Sequence, residues 1–147
     1  MALSQNSRKK AAISYAEQIG IKATNRLELS EYVREGFPYQ AFVSLSESMD
    51  LTNQQLAELV QISERTLVRR SKAGRLKAEE SERLLRFSRL FTMAVELFDG
   101  EPLAAQEWLA AESRALQGKT PLEVSKTEVG AREVENLITR LEHGVFT

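Results

Sequence analysis

Residues 50–70 read DLTNQQLAELVQISERTLVRR. Thr52 stands where a hydroxyl can accept a backbone N–H at the start of a short helix that ends near Val60. Gln61 and Ile62 make a tight link, and Ser63 caps a second helix from Glu64 to about Ser71. Leu56, Val60, Ile62 and Leu67 fall where two short, steeply crossing helices bury side chains. Ala57 is small where the second helix must approach the first. This is the pattern of a helix-turn-helix. The same caps and spacing would serve two ordinary core helices of an α-bundle, so the outward face has to separate the two.

On that face Arg65, Arg69 and Lys72 project to one side, with Val68 beside them and Arg70 and Arg75 flanking. Arginine can read guanine O6 and N7 bidentately in the major groove, and lysine or arginine at the ends can grip phosphates. The arrangement resembles the Xre-type helix-turn-helix of phage repressors. By that resemblance Glu64, Arg65, Val68 and Arg69 face base edges, and Asn53 and Gln54 lie near the DNA backbone. Gln61 departs from the pattern, because such motifs commonly carry glycine there in a left-handed turn. A non-glycine residue in that conformation costs about 1 kcal/mol or more. This leaves open a helix-turn-helix kept mainly as scaffold, with weak DNA binding.

With three prolines and seven glycines, mostly where helices start or stop, the chain is expected to be all-α. Upstream, helices are expected over Ser7 to Ile19, over Glu28 to Glu35, and from Phe37-Pro38 through Met49 with Phe42, Val43 and Leu45 inward. Downstream, Lys77 to Phe98 starts with Glu79 and Glu80 and is apolar over more than one stripe, so it must be buried on several sides. It is the spine of the core, alone or together with a dimer contact. Pro102 opens the next helix, with Leu103, Trp108 and Leu109 packing and Trp108 as a core anchor. Residues 115–118 form a loop, and Thr120, Pro121 and Glu123 read as a capping box. The last helix carries Val134, Leu137, Ile138 and Leu141 inward and Glu133, Glu135, Arg140 and Glu142 outward.

The 147 residues are 42% apolar and 28% charged, enough for a folded core under a solvated surface. The absence of cysteine excludes disulfides and thiolate metal sites, and it agrees with a reducing cytosol. The opening MALSQNSRKKAA is basic without the apolar run of a signal peptide, and no stretch approaches the roughly 20 residues of a membrane span. A cytoplasmic protein is expected. A net charge of −1 conceals an asymmetry: residues 63–89 carry nine Lys/Arg against four Asp/Glu, and residues 90–147 five against ten. A basic middle suits a polyanion, and an acidic end suits a basic protein partner, although solvated helix faces give the same counts.

Three stretches, LTNQQLAELVQISERTLVRR, LKAEESERLLRFSRLFTMAVELF and GKTPLEVSKTEVGAREVENLITRLEHGVF, closely resemble the Xre-type antitoxins of the MbcA/ParS/Xre family. The last is the most specific. The resemblance runs from about Gly36 to Phe146 and implies an N-terminal helical extension (1–35), a helix-turn-helix DNA-binding domain (36–76) and a helical dimerisation and toxin-binding domain (77–147). It implies an antitoxin of a type II pair that neutralises a NAD-consuming RES-domain toxin by laying its C-terminal end over the toxin's active-site cleft. It further implies autorepression through operator DNA, as a homodimer. The toxin-binding residues would be Arg140, Leu141, Glu142, His143, Gly144, Val145 and Phe146, with the Phe146 ring as an apolar anchor. Two alternatives stand beside it: Val145 and Phe146 cap the domain's own core, or the protein is a stand-alone regulator whose C-terminal domain only dimerises. His143 beside Glu142 lacks a positioned third group and a pocket, so neither catalysis nor a metal or cofactor is expected.

Overall fold

Five helices begin on a side chain that accepts a backbone N–H: Asn25 from Glu28, Thr52 from Gln55, Ser63 from Thr66, Thr120 from Glu123 and Thr127 from Gly130. Each cap satisfies a donor that the first helical turn would leave without a partner. The computed structural model describes residues 13–144. Its elements are α1 Ser14–Glu17, α2 Arg26–Glu35, α3 Tyr39–Ser48, α4 Asn53–Leu59, α5 Glu64–Ala73, α6 Ala78–Leu97, α7 Pro102–Ala110, a 3-10 turn Arg114–Leu116, α8 Pro121–Val124 and α9 Glu128–Glu142. The fold is all-α. Among the described residues only two isolated bridges, Pro38 with Arg75 and Ser113 with Lys119, depart from it.

Helix α6 is the spine, as its broad apolar surface requires. It buries Leu84, Phe87, Leu90, Phe91 and Ala94, and it packs against α1, α2, α7 and α9. Residues 13–35, expected as an extension, supply Ile13, Ala16, Ile19, Ile21, Ala23 and Leu29 to the same core. They are also tied by polar contacts, since the Gln18 amide donates to the Ser88 carbonyl at 2.7 Å and the Ser88 hydroxyl donates to the Tyr15 carbonyl. The first expected helix ends at Glu17, two residues short of Ile19. It spans Ser14–Glu17, and the expected start at Ser7 lies outside the described residues.

Helices α4 and α5 form the helix-turn-helix on α3. Leu56, Val60 and Ile62 are buried with Ala57 between the helices, and Leu67 is the buried residue of α5. Gln61 has φ +59°, so the left-handed turn is made by a glutamine. Two joints bind this unit to its surroundings. Leu76 N–H donates to the Phe37 carbonyl at 2.8 Å and Tyr39 N–H to the Gly74 carbonyl at 2.9 Å, closing the unit on itself. Gly36 permits that closure: a Cβ there would lie 2.0 Å from the Leu76 carbonyl oxygen, and its φ is +91°. From the spine, Arg83 Nε donates to the Val60 carbonyl at 2.6 Å, holding the turn itself.

Three inward expectations need correction. Val43 is only half-buried, because Ala41, Phe42 and Leu45 fill the face of α3 that meets the core. Leu103 is 66% exposed. It lines an apolar cleft of about 230 Å³ together with Met49, Leu51, Phe91 and Leu122, while Ala105 and Leu109 take the inward positions of α7. Trp108 is half-buried, tilted against Phe98 with ring centroids 6.4 Å apart, so it flanks the core. Glu135, expected outside, is half-buried and meets Arg89 at 3.1 Å.

Candidate functional site

Ser63 caps the start of α5, and a left-handed turn at Gln61 links that helix to α4. Of the ten residues in α5 only Leu67 is buried, so the helix presents most of its length to solvent. Glu64, Arg65, Val68, Arg69 and Lys72 are all exposed, Val68 at 54%. Their spacing of three and four residues puts them on adjoining rows of one helical surface. Arg69 donates to the Thr66 hydroxyl at 3.2 Å, which lays its guanidinium along the helix. Arg65 and Lys72 make no ion pair among the described residues, which leaves both charges available to an anion.

The two residues expected near the DNA backbone are exposed at the start of α4. Asn53 Oδ1 lies 3.0 Å from the buried Ser46 hydroxyl, which fixes its amide against α3. The Gln54 amide crosses to α5 and donates to Glu64 Oε1 at 2.8 Å. Gln54 therefore belongs with the α5 residues as much as with Asn53.

Arg70 and Arg75 were expected to flank this surface, and neither points freely outward. Arg70 donates from Nε and Nη2 to the two oxygens of Glu80 at 2.7 and 3.0 Å, with side chains 14% and 9% exposed. Glu80 also accepts the Lys77 N–H at 2.9 Å, so one carboxylate caps α6 and anchors α5. Burial alone would push the Glu80 carboxyl up, but the Arg70 and Lys77 hydrogen bonds outweigh it and hold its pKa below the ordinary value. The same contact raises Arg70 above its ordinary value. Arg75 turns back to donate to the Gly36 carbonyl.

At the other end, the corner between α8 and α9 is pinned from three sides. Lys126 Nζ lies 3.2 Å from both Glu58 of α4 and Glu123 of α8, and its carbonyl accepts from Arg86 at 2.8 Å. Burial lowers the Lys126 pKa, yet the two carboxylates prevail and leave it raised. Gly130 lets α9 start against α8, since a Cβ there would come within 1.8 Å of the Val124 carbonyl oxygen. From this corner α9 buries Ala131, Val134, Leu137 and Ile138. Of the residues expected to meet a toxin, Arg140 and Leu141 are half-buried, with Leu141 packed on the core, and Glu142, His143 and Gly144 are exposed. Val145 and Phe146 lie outside the described residues.

The spacing rules found the caps, the crossing and the exposed cations. They placed Glu80 at the start of α6 but missed its partner Arg70, and they missed Arg83 and Lys126; the partners of these three sit 10, 23 and 68 residues away. The one available signal was Glu80 at the third position of α6, where a carboxylate suits a cap.

Fold and surface together define an all-α helix-turn-helix protein whose long helix carries a second helical unit. Residues 28–89 match the antitoxin Xre-like helix-turn-helix domain, and residues 93–144 match the antitoxin Xre/MbcA/ParS C-terminal toxin-binding domain. Antitoxin Xre of Yersinia enterocolitica is 35% identical over 131 residues, which are 88% of each chain. Antitoxin Xre of Photorhabdus laumondii is 32% identical over 130 residues, again 88% of each chain. That of Pseudomonas putida is 29% identical over 118 residues, 80% of this chain and 72% of its own. The chain belongs to the Xre antitoxin family.

Proposed function

We propose that this protein is the antitoxin of a type II toxin–antitoxin pair, acting by binding alone. It neutralises a NAD-consuming RES-domain toxin by laying its C-terminal end, Arg140 to Phe146, over the toxin's active-site cleft. The observation that carries this reading is the family match over residues 93–144, whose last residues are the exposed Glu142, His143 and Gly144 at the end of a well-anchored helix. An acidic half, with ten Asp/Glu against five Lys/Arg from residue 90 onward, favours a cleft built to hold phosphates.

The helix-turn-helix binds the pair's own operator, with Glu64, Arg65, Val68, Arg69 and Lys72 toward the bases and groove and Asn53 and Gln54 toward the backbone. Labour divides near the start of α6: residues 36–76 meet DNA, and residues 77–147 dimerise and meet the toxin. One helix-turn-helix reads a half-site, so a homodimer would present two α5 helices to one face of the duplex. Its place is the cytoplasm, in keeping with the lack, among the described residues, of any helix long and apolar enough to cross a membrane.

Co-expression with the adjacent open reading frame tests the reading. That frame is expected to arrest growth alone and to be silent beside this chain. A harmless neighbour would sink the antitoxin reading and favour the second one, a stand-alone regulator whose C-terminal part only dimerises. The observation behind that alternative is the exposed cationic face of α5, which requires no toxin.

A further inference from the structure

One acidic side chain interrupts the cationic surface of α5. Glu64 is exposed at the first position of the helix, next to Arg65, and its Oε1 accepts the Gln54 amide at 2.8 Å. The helix dipole favours a carboxylate there, which explains its tolerance in the free protein. Against DNA the balance reverses. A carboxylate accepts hydrogen bonds and donates none, so phosphate oxygens offer it only repulsion. A duplex that seats α5 in its major groove rewards Glu64 only where it offers a donor; elsewhere the carboxylate keeps bridging water or loses hydration without replacement.

The major groove offers two such donors, cytosine N4–H₂ and adenine N6–H₂. Adenine sets the N7 lone pair beside its donor and faces a second carboxylate oxygen with repulsion. Cytosine has no acceptor of its own on that edge. The Gln54 hydrogen bond occupies Oε1 and fixes the carboxylate, leaving Oε2 to meet a base, and it comes from the helix that would lie over the DNA backbone. Resting on the operator-binding reading above, we infer that Glu64 selects a cytosine in each half-site and that Gln54 is its positioning residue. Glu64 would then lower affinity for DNA at large while raising discrimination among sequences.

The full-length protein, incubated with a randomised duplex library and sequenced after successive rounds of selection, provides the test. The wild-type chain is expected to enrich a site with an invariant cytosine in each half. Replacing that C·G pair by T·A should weaken binding roughly 5- to 150-fold per half-site, the span of one good base contact. Glu64→Gln should cut that ratio to within about threefold or shift the preference to adenine, which glutamine reads bidentately. Glu64→Ala should lose the preference and tighten binding to random duplex. Gln54→Met should reduce the cytosine ratio while leaving the melting temperature unchanged, a result that a purely structural role for Gln54 would not produce.

A wild-type site without an invariant cytosine, or the same site and ratio in both Glu64 variants, would overturn the assignment. The base-replacement arm uses the wild-type protein alone and stands even if a variant misfolds. Enrichment of no sequence at all would instead remove the operator reading, and the Glu64 assignment with it.

Discussion

Helices α5 and α9 start alike and are held differently. Each is capped by a hydroxyl, Ser63 or Thr127, and each has a face turned to solvent. Helix α9 buries Val134, Leu137 and Ile138 besides Ala131, whereas α5 buries Leu67 alone. At about 1.5–3 kcal/mol for each large side chain, apolar burial anchors α9 several times more strongly than α5. Helix α5 depends instead on polar ties, the Arg70–Glu80 pair and the Tyr39 hydrogen bond to Gly74. A helix that leaves most of its side chains to solvent has few left for the core. It therefore relies on a small number of directional contacts, each of which matters more.

The contrast can be broken at either helix. Removing residues 142–147 should abolish protection from the toxin while the thermal transition stays in place, because the buried residues of α9 remain. Cells still protected by the shortened chain would show that the end of α9 is not the docking surface. Substituting Arg65 and Arg69 together by alanine should weaken operator binding by roughly 2–6 kcal/mol, two base contacts at about 1–3 each, with protection intact. Unchanged affinity in a gel-shift or fluorescence titration would mean that another surface meets the DNA.

Glu80→Gln leaves Arg70 charged without its partner and should destabilise the protein by about 3 kcal/mol in denaturant unfolding, toward the low end for a buried pair because this one is slightly exposed. The sign with pH follows from the lowered Glu80 pKa. The stabilisation is fully present above the ordinary carboxylate pKa and is lost as pH falls through the lowered value. The wild-type and Glu80→Gln stabilities should converge in acid, and a constant gap from pH 7 to pH 3 would deny the pair its role. Smallest and opposite in sign, Gln61→Gly should stabilise by about 0.5–1 kcal/mol, because φ +59° suits glycine. A loss of stability there would mean that the glutamine side chain contributes more than its backbone strain removes.

The helix-turn-helix was legible because its determinants are local. Thr52, Gln61 and Ser63 act within four residues of themselves, and Leu56, Val60, Ile62 and Leu67 recur at helical spacing. The motif places a left-handed turn at position 61, and it occurs there despite the missing glycine that put it in question. Glu80 was read as a terminal charge, but its partner comes from the preceding helix, and periodicity carries no information about such pairings. Arg70 looked like one more surface cation for the same reason. The core role of residues 13–35 was hidden because Ala16, Ile19 and Ile21 form a short, weak stripe that gains meaning only once α6 is present to receive it. Leu103 misled in the other direction: an apolar residue in the first turn of α7 does not reveal which way that turn faces.

Helix α6 runs unbroken for 20 residues, about 30 Å, and the seam between the two family matches, residues 89 to 93, falls inside it. With Arg83 fastened to one unit and Arg86 to the other, the molecule has no swivel where a flexible linker would ordinarily sit. On the operator reading proposed above, whatever binds the far end is carried at a fixed height and bearing above the duplex, so clearance between neighbouring copies along an operator is set by the length of a rod.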